Sequence, residues 1–501
     1  MKKGLLITVL FFVFLSVFFN NSLVCAEESQ PTATDSQYFI DLGLSYSRLG
    51  MSQQAIDTLK KGLENDSNNK EGWMGLAVSY SALGYIPEAI EAYQMVTTLE
   101  GEDPQTWYEI GNLYYDLGDY QPAIEAYQKS IEIKVDQPEA YYNLGNVYYD
   151  LQDYEKARDA YLQAVRYDPV HFDAFNNLGN AYFYLSRFDE AEKAYRDSIA
   201  ARPDYSLPNY NLGNIYYQHD QYDQAIEFYQ EALRLDPEYT DAWNNLGNAY
   251  SAAGNKPEAL KAYQKVNEID PYYTNGYFNS GLVYRDLGDS QNAIIQYQKS
   301  LDLQPDDPEI FYELGNVYYD LKDYQNSIEN HNRAIELDPE YIAAYNNLGN
   351  AYEALEKLDK ALEAYGKAIE IDPNYPTGLF NIANVFYNQG NYYKSIDPFL
   401  KVIELDSQDY ETRNNLGNSY LEIGRYHSAL KSYRQALTIK PDYDLSHYNV
   451  GYVSLKMDDR ETAMKEYDYL LPVNKELANQ LMDKITGKTN EPAADSQETT
   501  E

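Results

Sequence analysis

The chain has 501 residues, a formal net charge of −40, an apolar fraction of 44% and 55 tyrosines. That apolar content excludes a disordered chain despite the charge. The acidity argues against nucleic acid or anionic lipid as a partner, since both demand clustered Lys and Arg, and favours basic partners instead.

From the N-terminus, Lys2 and Lys3 precede an apolar run, Leu5 to Phe19, broken by Ser16. Val24-Cys25-Ala26 then supplies small residues for cleavage after Ala26, so residues 1–26 read as a secretory signal. Two alternatives stay open. One is an uncleaved anchor, for which the run is short. The other is acylation of Cys25, a motif that wants Leu and a small residue where this chain has Ser22 and Val24. Loss of the single cysteine would leave no disulfide or zinc-thiolate chemistry. The expected location is outside the cytoplasm: periplasmic, at the cell surface or secreted. Residues 27–35 read as a polar linker.

From Ser36 the chain repeats every 34 residues, thirteen times. Position 8 of each block is Gly or Ala, as in Gly111, Gly145, Ala383 and Gly417, and position 20 is Ala or Ser, as in Ala123 and Ser327. Tyrosine dominates position 24 (Tyr161, Tyr195, Tyr229), and proline often closes the block (Pro169, Pro203, Pro237). Apolar residues follow a helical period, predicting two amphipathic helices per block. Small residues at fixed points let helices approach closely, and Gly118, Gly254, Gly288 and Gly424 are placed to end the first helix. A pair of helices about 13 residues long, roughly 20 Å each, cannot bury its own apolar face, so neighbours must stack.

In one block, Tyr141, Leu144, Gly145, Tyr148, Ala157, Tyr161, Ala164 and Pro169 carry a pattern that resembles the tetratricopeptide repeat (TPR) family, and it covers residues 36–477. The resemblance implies an all-α fold: an α-solenoid of antiparallel helix pairs forming a right-handed superhelix, with the first helix of each pair lining the concave surface. Residues 474–486 read as an amphipathic capping helix overlapping the end of the last repeat. Residues 487–501 read as a disordered acidic tail.

Helical spacing places block positions 2, 5, 6, 9, 12 and 13 on one stripe. Position 6 holds Asn143, Asn177, Asn211, Asn245, Asn347 and Asn415, and position 9 holds Asn146, Asn180, Asn214, Asn248, Asn350 and Asn418. Tyr115, Tyr149, Tyr217 and Tyr319 stand at position 12, and Asp116, Asp150 and Asp320 at position 13. Position 5, elsewhere mostly aromatic, is asparagine at Asn176, Asn244, Asn346 and Asn414. These four add polar capacity with no packing gain visible in the sequence, which makes Asn346 the first candidate for partner specificity. Tyrosines at positions 11, 17 and 24 are expected in the core.

Asparagine is a poor helix former. The 22 asparagines at positions 5, 6 and 9 of all the repeats (4, 9 and 9) together cost roughly 11–15 kcal/mol of helix propensity, so something must compensate. Bonds between neighbouring helices are one answer. Binding of a peptide main chain is another, since each amide offers two donors and two acceptor lone pairs. Resemblance to the superhelices of O-linked N-acetylglucosamine transferases implies the second use, without transfer chemistry. The carboxylate-clamping TPR domains of co-chaperones need Lys and Arg on this stripe. Here those positions hold Glu139, Tyr142 and Asn143, or Asp173, Asn176 and Asn177.

Catalytic residues, metal ligands and cofactors are not expected. The five histidines share no block position, and GxSxG, P-loop, dinucleotide and EF-hand patterns are missing from the sequence. The sequence therefore points to a non-enzymatic, exported scaffold whose concave groove takes extended or basic polypeptide segments; neither nucleic acid nor a small-molecule substrate is indicated. A self-assembling structural protein, hence a homo-oligomer, and a non-catalytic subunit of an envelope enzyme or export complex remain alternatives.

Overall fold

A computed structural model describes residues 35–99 and 103–487. The signal, anchor and lipidation readings, and the tail beyond Gly487, lie outside those residues. Every regular element among them is an α-helix, from Ser36–Arg48 to Lys475–Thr486. The helices form the expected antiparallel pairs of an α-solenoid. The chain divides into two compact units, Met1–Ala249 and Tyr250–Glu501. Within each, a helix packs most heavily on its own pair-mate and then on the next pair. In repeat 4, for example, the pair is Pro138–Asp150 and Tyr154–Tyr167.

Position 8 is small for a more specific reason than backbone approach. A Cβ at Gly145 would stand 2.5 Å from the ring of Tyr161, and one at Gly179 2.4 Å from the ring of Tyr195. The position 24 ring of the same repeat lies flat against the bare glycine. Tyr127, Tyr161, Tyr195 and Tyr229 are thereby almost wholly buried. Burial drives their phenols well above the ordinary tyrosine value, so they stay protonated donors.

Position 15, just past the first helix, takes a left-handed conformation in every repeat. Seven of these residues are glycines, including Gly118 and Gly254. The other six are Gln152, Ser186, Asp220, Lys322, Glu356 and Asp458, with φ from 57° to 63°. The turn is thus fixed by the fold even where the residue pays the steric penalty of a Cβ in that region. At the C-terminal end, the helix Lys475–Thr486 is capped by Asn474 and stopped by Gly487 at φ 70°. It buries Ala478, Leu481 and Ile485, with Leu481 against Gly451, and so covers the last pair.

The tyrosine expectation needs one correction. Position 24 is core, and position 11 is buried at Tyr80 and Tyr216 and half-buried against the core clusters at Tyr114, Tyr148 and Tyr182, but position 17 sits on a lip. Tyr120, Tyr154 and Tyr222 are only partly buried. Each leans on the position 12 ring of its own repeat, as in Tyr115–Tyr120 at 6.1 Å, Tyr149–Tyr154 at 5.5 Å and Tyr217–Tyr222 at 5.6 Å.

Candidate functional site

The asparagines form a bonded ladder along the first helices. The phenol at position 24 reaches past its glycine and donates to the position 9 amide oxygen of its own repeat. Tyr127 donates to Asn112, Tyr161 to Asn146, Tyr195 to Asn180 and Tyr229 to Asn214, each at 2.8 Å. Tyr365 does the same to Asn350 and Tyr433 to Asn418. The position 6 amide of the next repeat then donates to that same oxygen. These rungs run from Asn143 to Asn112 (2.9 Å), Asn177 to Asn146 (3.1 Å), Asn211 to Asn180 (3.1 Å) and Asn245 to Asn214 (3.0 Å). In the second unit they run from Asn347 to Asn316, Asn381 to Asn350 and Asn449 to Asn418.

The other hydrogen of each position 6 amide goes to position 5 of the preceding repeat. Asn143, Asn177, Asn245 and Asn347 donate to the hydroxyls of Tyr108, Tyr142, Tyr210 and Tyr312. Asn211, Asn381 and Asn449 donate instead to the side-chain oxygens of Asn176, Asn346 and Asn414. This corrects the sequence reading of position 5. Asn176, Asn244, Asn346 and Asn414 are buried, with 3–7% of their surface exposed. They do not line the groove: an asparagine there supplies the acceptor that a tyrosine hydroxyl supplies elsewhere. Asn176, Asn244 and Asn346 also donate to their own neighbours Asn177, Asn245 and Asn347. Asn346 is therefore a structural residue and not a specificity residue.

The remaining expected residues are half-buried or exposed. Asn146, Asn180, Asn214, Asn248, Asn350, Asn415 and Asn418 are half-buried. Asn180 uses its oxygen twice, while its NH2 group has no partner among the described residues. Asp116, Asp150 and Asp320 are exposed at the ends of their helices. The hydroxyl of Tyr115 donates to Asp150 of the next repeat at 2.7 Å. Tyr217 is 37% exposed, and Tyr319 leans on Tyr324 at 5.4 Å. A further aromatic, Tyr184, stacks on Tyr154 at 4.7 Å and leaves 55% of its surface exposed.

Two junctions of the second unit lack a rung. Between repeats 8 and 9, position 5 is Phe278 and position 9 is Leu282, neither of which accepts a hydrogen bond. The hydroxyl of Tyr297, deprived of its position 9 acceptor, has no partner among the described residues. Position 6 of repeat 9 is Glu313, paired with Arg285 across the junction. Burial raises the Glu313 carboxyl above its ordinary value, opposed by the Arg285 charge. Between repeats 11 and 12, position 5 is Phe380 and position 24 is Phe399, and no bond joins Asn415 to Asn384 among the described residues. Sequence reasoning missed both breaks; the signal of the first was the non-acceptor residues Phe278 and Leu282, and the second coincides with Phe380 and Phe399 in place of tyrosines.

Among the described residues, no group of three or more His, Cys, Asp or Glu is placed to hold a metal ion. No helix among them is long and apolar enough to cross a membrane.

A family model described as "TPR repeat" matches residues 111–152, 213–254, 281–322, 315–356, 349–390 and 417–458. Models described as "Tetratricopeptide repeat" match residues 40–105, 142–206 and 240–273. No curated protein matches the chain. Similar solved structures include MamA, 29% identical over 33% of this chain and 97% of that one, with a TM-score of 0.31. YrrB, titled a TPR protein with an unusual peptide-binding site, is 24% identical over 38% and 97%, with a TM-score of 0.33. Yeast Tom70 is 15% identical over 83% and 95%, with a TM-score of 0.37.

Proposed function

Because the chain belongs to the tetratricopeptide repeat family, we propose that it is a non-enzymatic scaffold that binds extended, basic polypeptide segments along the first-helix stripe. The observation that carries this reading is the half-used ladder. The position 9 oxygens are spent on internal bonds, while amide hydrogens such as those of Asn180 are left for a ligand carbonyl. The same stripe is acidic and aromatic, which favours Lys and Arg side chains through charge and cation–π contact. In repeats 3–7 it carries Glu109, Asp116, Glu139, Asp150, Asp173 and Asp241, and none of its positions holds Lys or Arg.

The test is fluorescence anisotropy of the purified chain with a labelled Lys/Ser peptide and a Glu/Ser peptide of equal length. The reading expects binding of the first only, weakened by added salt over the range of the Debye length. Equal binding of both peptides, or of neither, overturns it. We further propose that the scaffold acts outside the cytoplasm, a reading supported by Lys2, Lys3 and the run Leu5 to Phe19. N-terminal sequencing of protein recovered from the producing cell should then begin at Glu27.

A further inference from the structure

The face of the first helix opposite the asparagine stripe is apolar at most junctions and polar at one. Three side chains meet there: position 28 of one repeat and positions 7 and 23 of the next. Ile131, Leu144 and Ala160 share one core cluster, Val165, Leu178 and Ala194 another, and Ile335, Leu348 and Ala364 a third. Position 7 is Leu, Ile or Val in twelve of the thirteen repeats. In repeat 8 it is Ser280, and positions 28 and 23 of the same junction are Asn267 and Gln296.

These three polar residues line a cavity of about 340 Å³. It lies between the helix Lys256–Ile269 of repeat 7 and the helices Thr274–Asp286 and Ser290–Leu303 of repeat 8, all within the second unit. The corresponding recess between repeats 1 and 2, about 370 Å³, has Leu63, Leu76 and Ala92 at the same three positions. The recess thus belongs to the fold, and the 7–8 junction has changed the chemistry of its floor. No stripe position borders it, so what it does is independent of the peptide-binding reading.

The polar floor is not satisfied from within. The side-chain oxygen of Asn267 is buried with no hydrogen-bond partner among the described residues. It fits only because position 3 of repeat 8 is Gly276, where a Cβ would stand 2.4 Å from it. Ser280 donates its proton to the Gly276 carbonyl at 2.7 Å and keeps its acceptor capacity. Exchanging an apolar trio for these residues gives up core burial and leaves an amide unsatisfied, and both weaken the fold.

We propose that this cavity binds a neutral sugar ring, a hexopyranose that is free or part of a glycan. The floor is uncharged, and its amides offer donors and acceptors together, as sugar hydroxyls do. Tyr277 and Tyr284, both half-buried, add aromatic surface with a polar tip, suited to the C–H face of a pyranose. The charges at the rim are already engaged. Lys261 pairs with Glu258 at 2.6 Å, Glu268 with Lys265, and Lys299 lies over the Tyr277 ring at 5.6 Å. A charged ligand would have to compete with one of these contacts for its counter-charge. The volume stands at the small end of ligand pockets, roughly 300–1,000 Å³, which suits one ring.

The experiment is saturation-transfer NMR and calorimetry on the full chain. The probes are the methyl glycosides of glucose, galactose and N-acetylglucosamine, a glucose tetrasaccharide, and glucuronate and glucosamine as charged counterparts. At least one neutral glycoside should bind, one per chain. The double variant Asn267→Leu, Ser280→Leu restores the leucine pair of the 1–2 junction. It should melt higher than wild type and lose roughly tenfold or more in affinity. Gln296→Ala should lose roughly fivefold, the worth of one hydrogen bond, and it decides alone should the double variant fail to fold. Both variants should bind the Lys/Ser peptide as wild type does. A tetrasaccharide that binds more tightly than the methyl glycoside identifies a glycan as the source, and equal binding identifies the free sugar. No response to any neutral probe up to about 10 mM means that the cavity holds solvent only and overturns the proposal. Undiminished sugar binding by the variants, or tighter binding of the charged counterparts, overturns it as well.

Discussion

His331 takes position 24 of repeat 9, where other repeats place a phenol, and it makes a pH-dependent weak point. Its ring is wholly buried, and neither nitrogen has a partner among the described residues. It lies against Gly315 and 5.7 Å from the ring of Tyr312, beside the likewise unpartnered hydroxyl of Ser327. Burial pushes the imidazole down from its ordinary 6.5 to about 4. A depressed pKa means that the unfolded chain takes up a proton between those values while the folded one does not. The stability that the neutral ring contributes is therefore complete above pH 6.5 and is lost as pH falls toward 4. At pH 5 the two values give a loss of about 2 kcal/mol, or roughly 30-fold in the opening equilibrium. Because repeats interact mainly with their neighbours, the loss is local. The assay is amide hydrogen exchange, corrected for intrinsic rates, in the helix Tyr324–Leu337 at pH 7 and pH 5. The helix Tyr154–Tyr167 is the internal control. His331→Tyr should abolish the difference and give Asn316 the phenol donor that Asn350 receives from Tyr365. Equal pH sensitivity in wild type and His331→Tyr would refute the reasoning, because the titrating group would then lie elsewhere.

Three further outcomes follow from the same geometry. Gly179→Ala drives a Cβ to 2.4 Å from the Tyr195 ring, whereas Gly366→Ala meets open space in a helix interior. Thermal melts should show the first destabilising by about 1–3 kcal/mol through overpacking and the second stabilising by about 1 kcal/mol. Lys322→Gly and Gln152→Gly relieve side chains held at φ 63° and 60°; each should raise denaturant stability by about 1 kcal/mol, with an unchanged m-value. Asn180→Ala strips the acceptor from the buried phenol of Tyr195 and from Asn211; it should cost about 1–2 kcal/mol in urea unfolding even though alanine is the better helix former.

Much of the fold was legible because it is written locally and thirteen times. The glycine at position 8, the tyrosine sixteen residues later and the closing proline each specify a contact within one repeat. The ladder was legible only in part, because its bonds join residues 31 and 35 apart. Asn346 and Tyr312 are unlike residues in the same role: both are acceptors for the next repeat's amide, Asn381 for one and Asn347 for the other. A sequence shows the change of residue type but not the unchanged demand for an acceptor. The buried asparagines at position 5 therefore looked like surplus polarity when they were substitutes. The same blindness hid the break between repeats 8 and 9, since Phe278 looks conservative beside tyrosine until its missing hydroxyl and the Leu282 that replaces the position 9 amide are seen together. Position 15 misled in the opposite sense: a glycine predicts the left-handed turn, but Lys322 and Gln152 adopt it because the stacked helices on either side leave no other path.

The energetics of the asparagines follow from their partners. Among the described residues at least seven rungs and six phenol bonds end on position 9 oxygens. At about 1 kcal/mol each they return about 13 kcal/mol. The helix-propensity cost of the asparagines is roughly 11–15 kcal/mol. The ladder thus closes without help from a ligand, and the folded array does not depend on one. At Asn180 the bonds made by the oxygen hold the amide plane and leave its hydrogens unused among the described residues, whereas Asn112, Asn316 and Asn350 donate theirs to Glu109, Glu313 and Asn347. The asparagines exchange intrinsic helix stability for inter-repeat hydrogen bonds at nearly even terms, and the gain is an ordered row of polar groups. Where a repeat drops out of that exchange, as at Leu282, the row ends and Tyr297 is left without an acceptor.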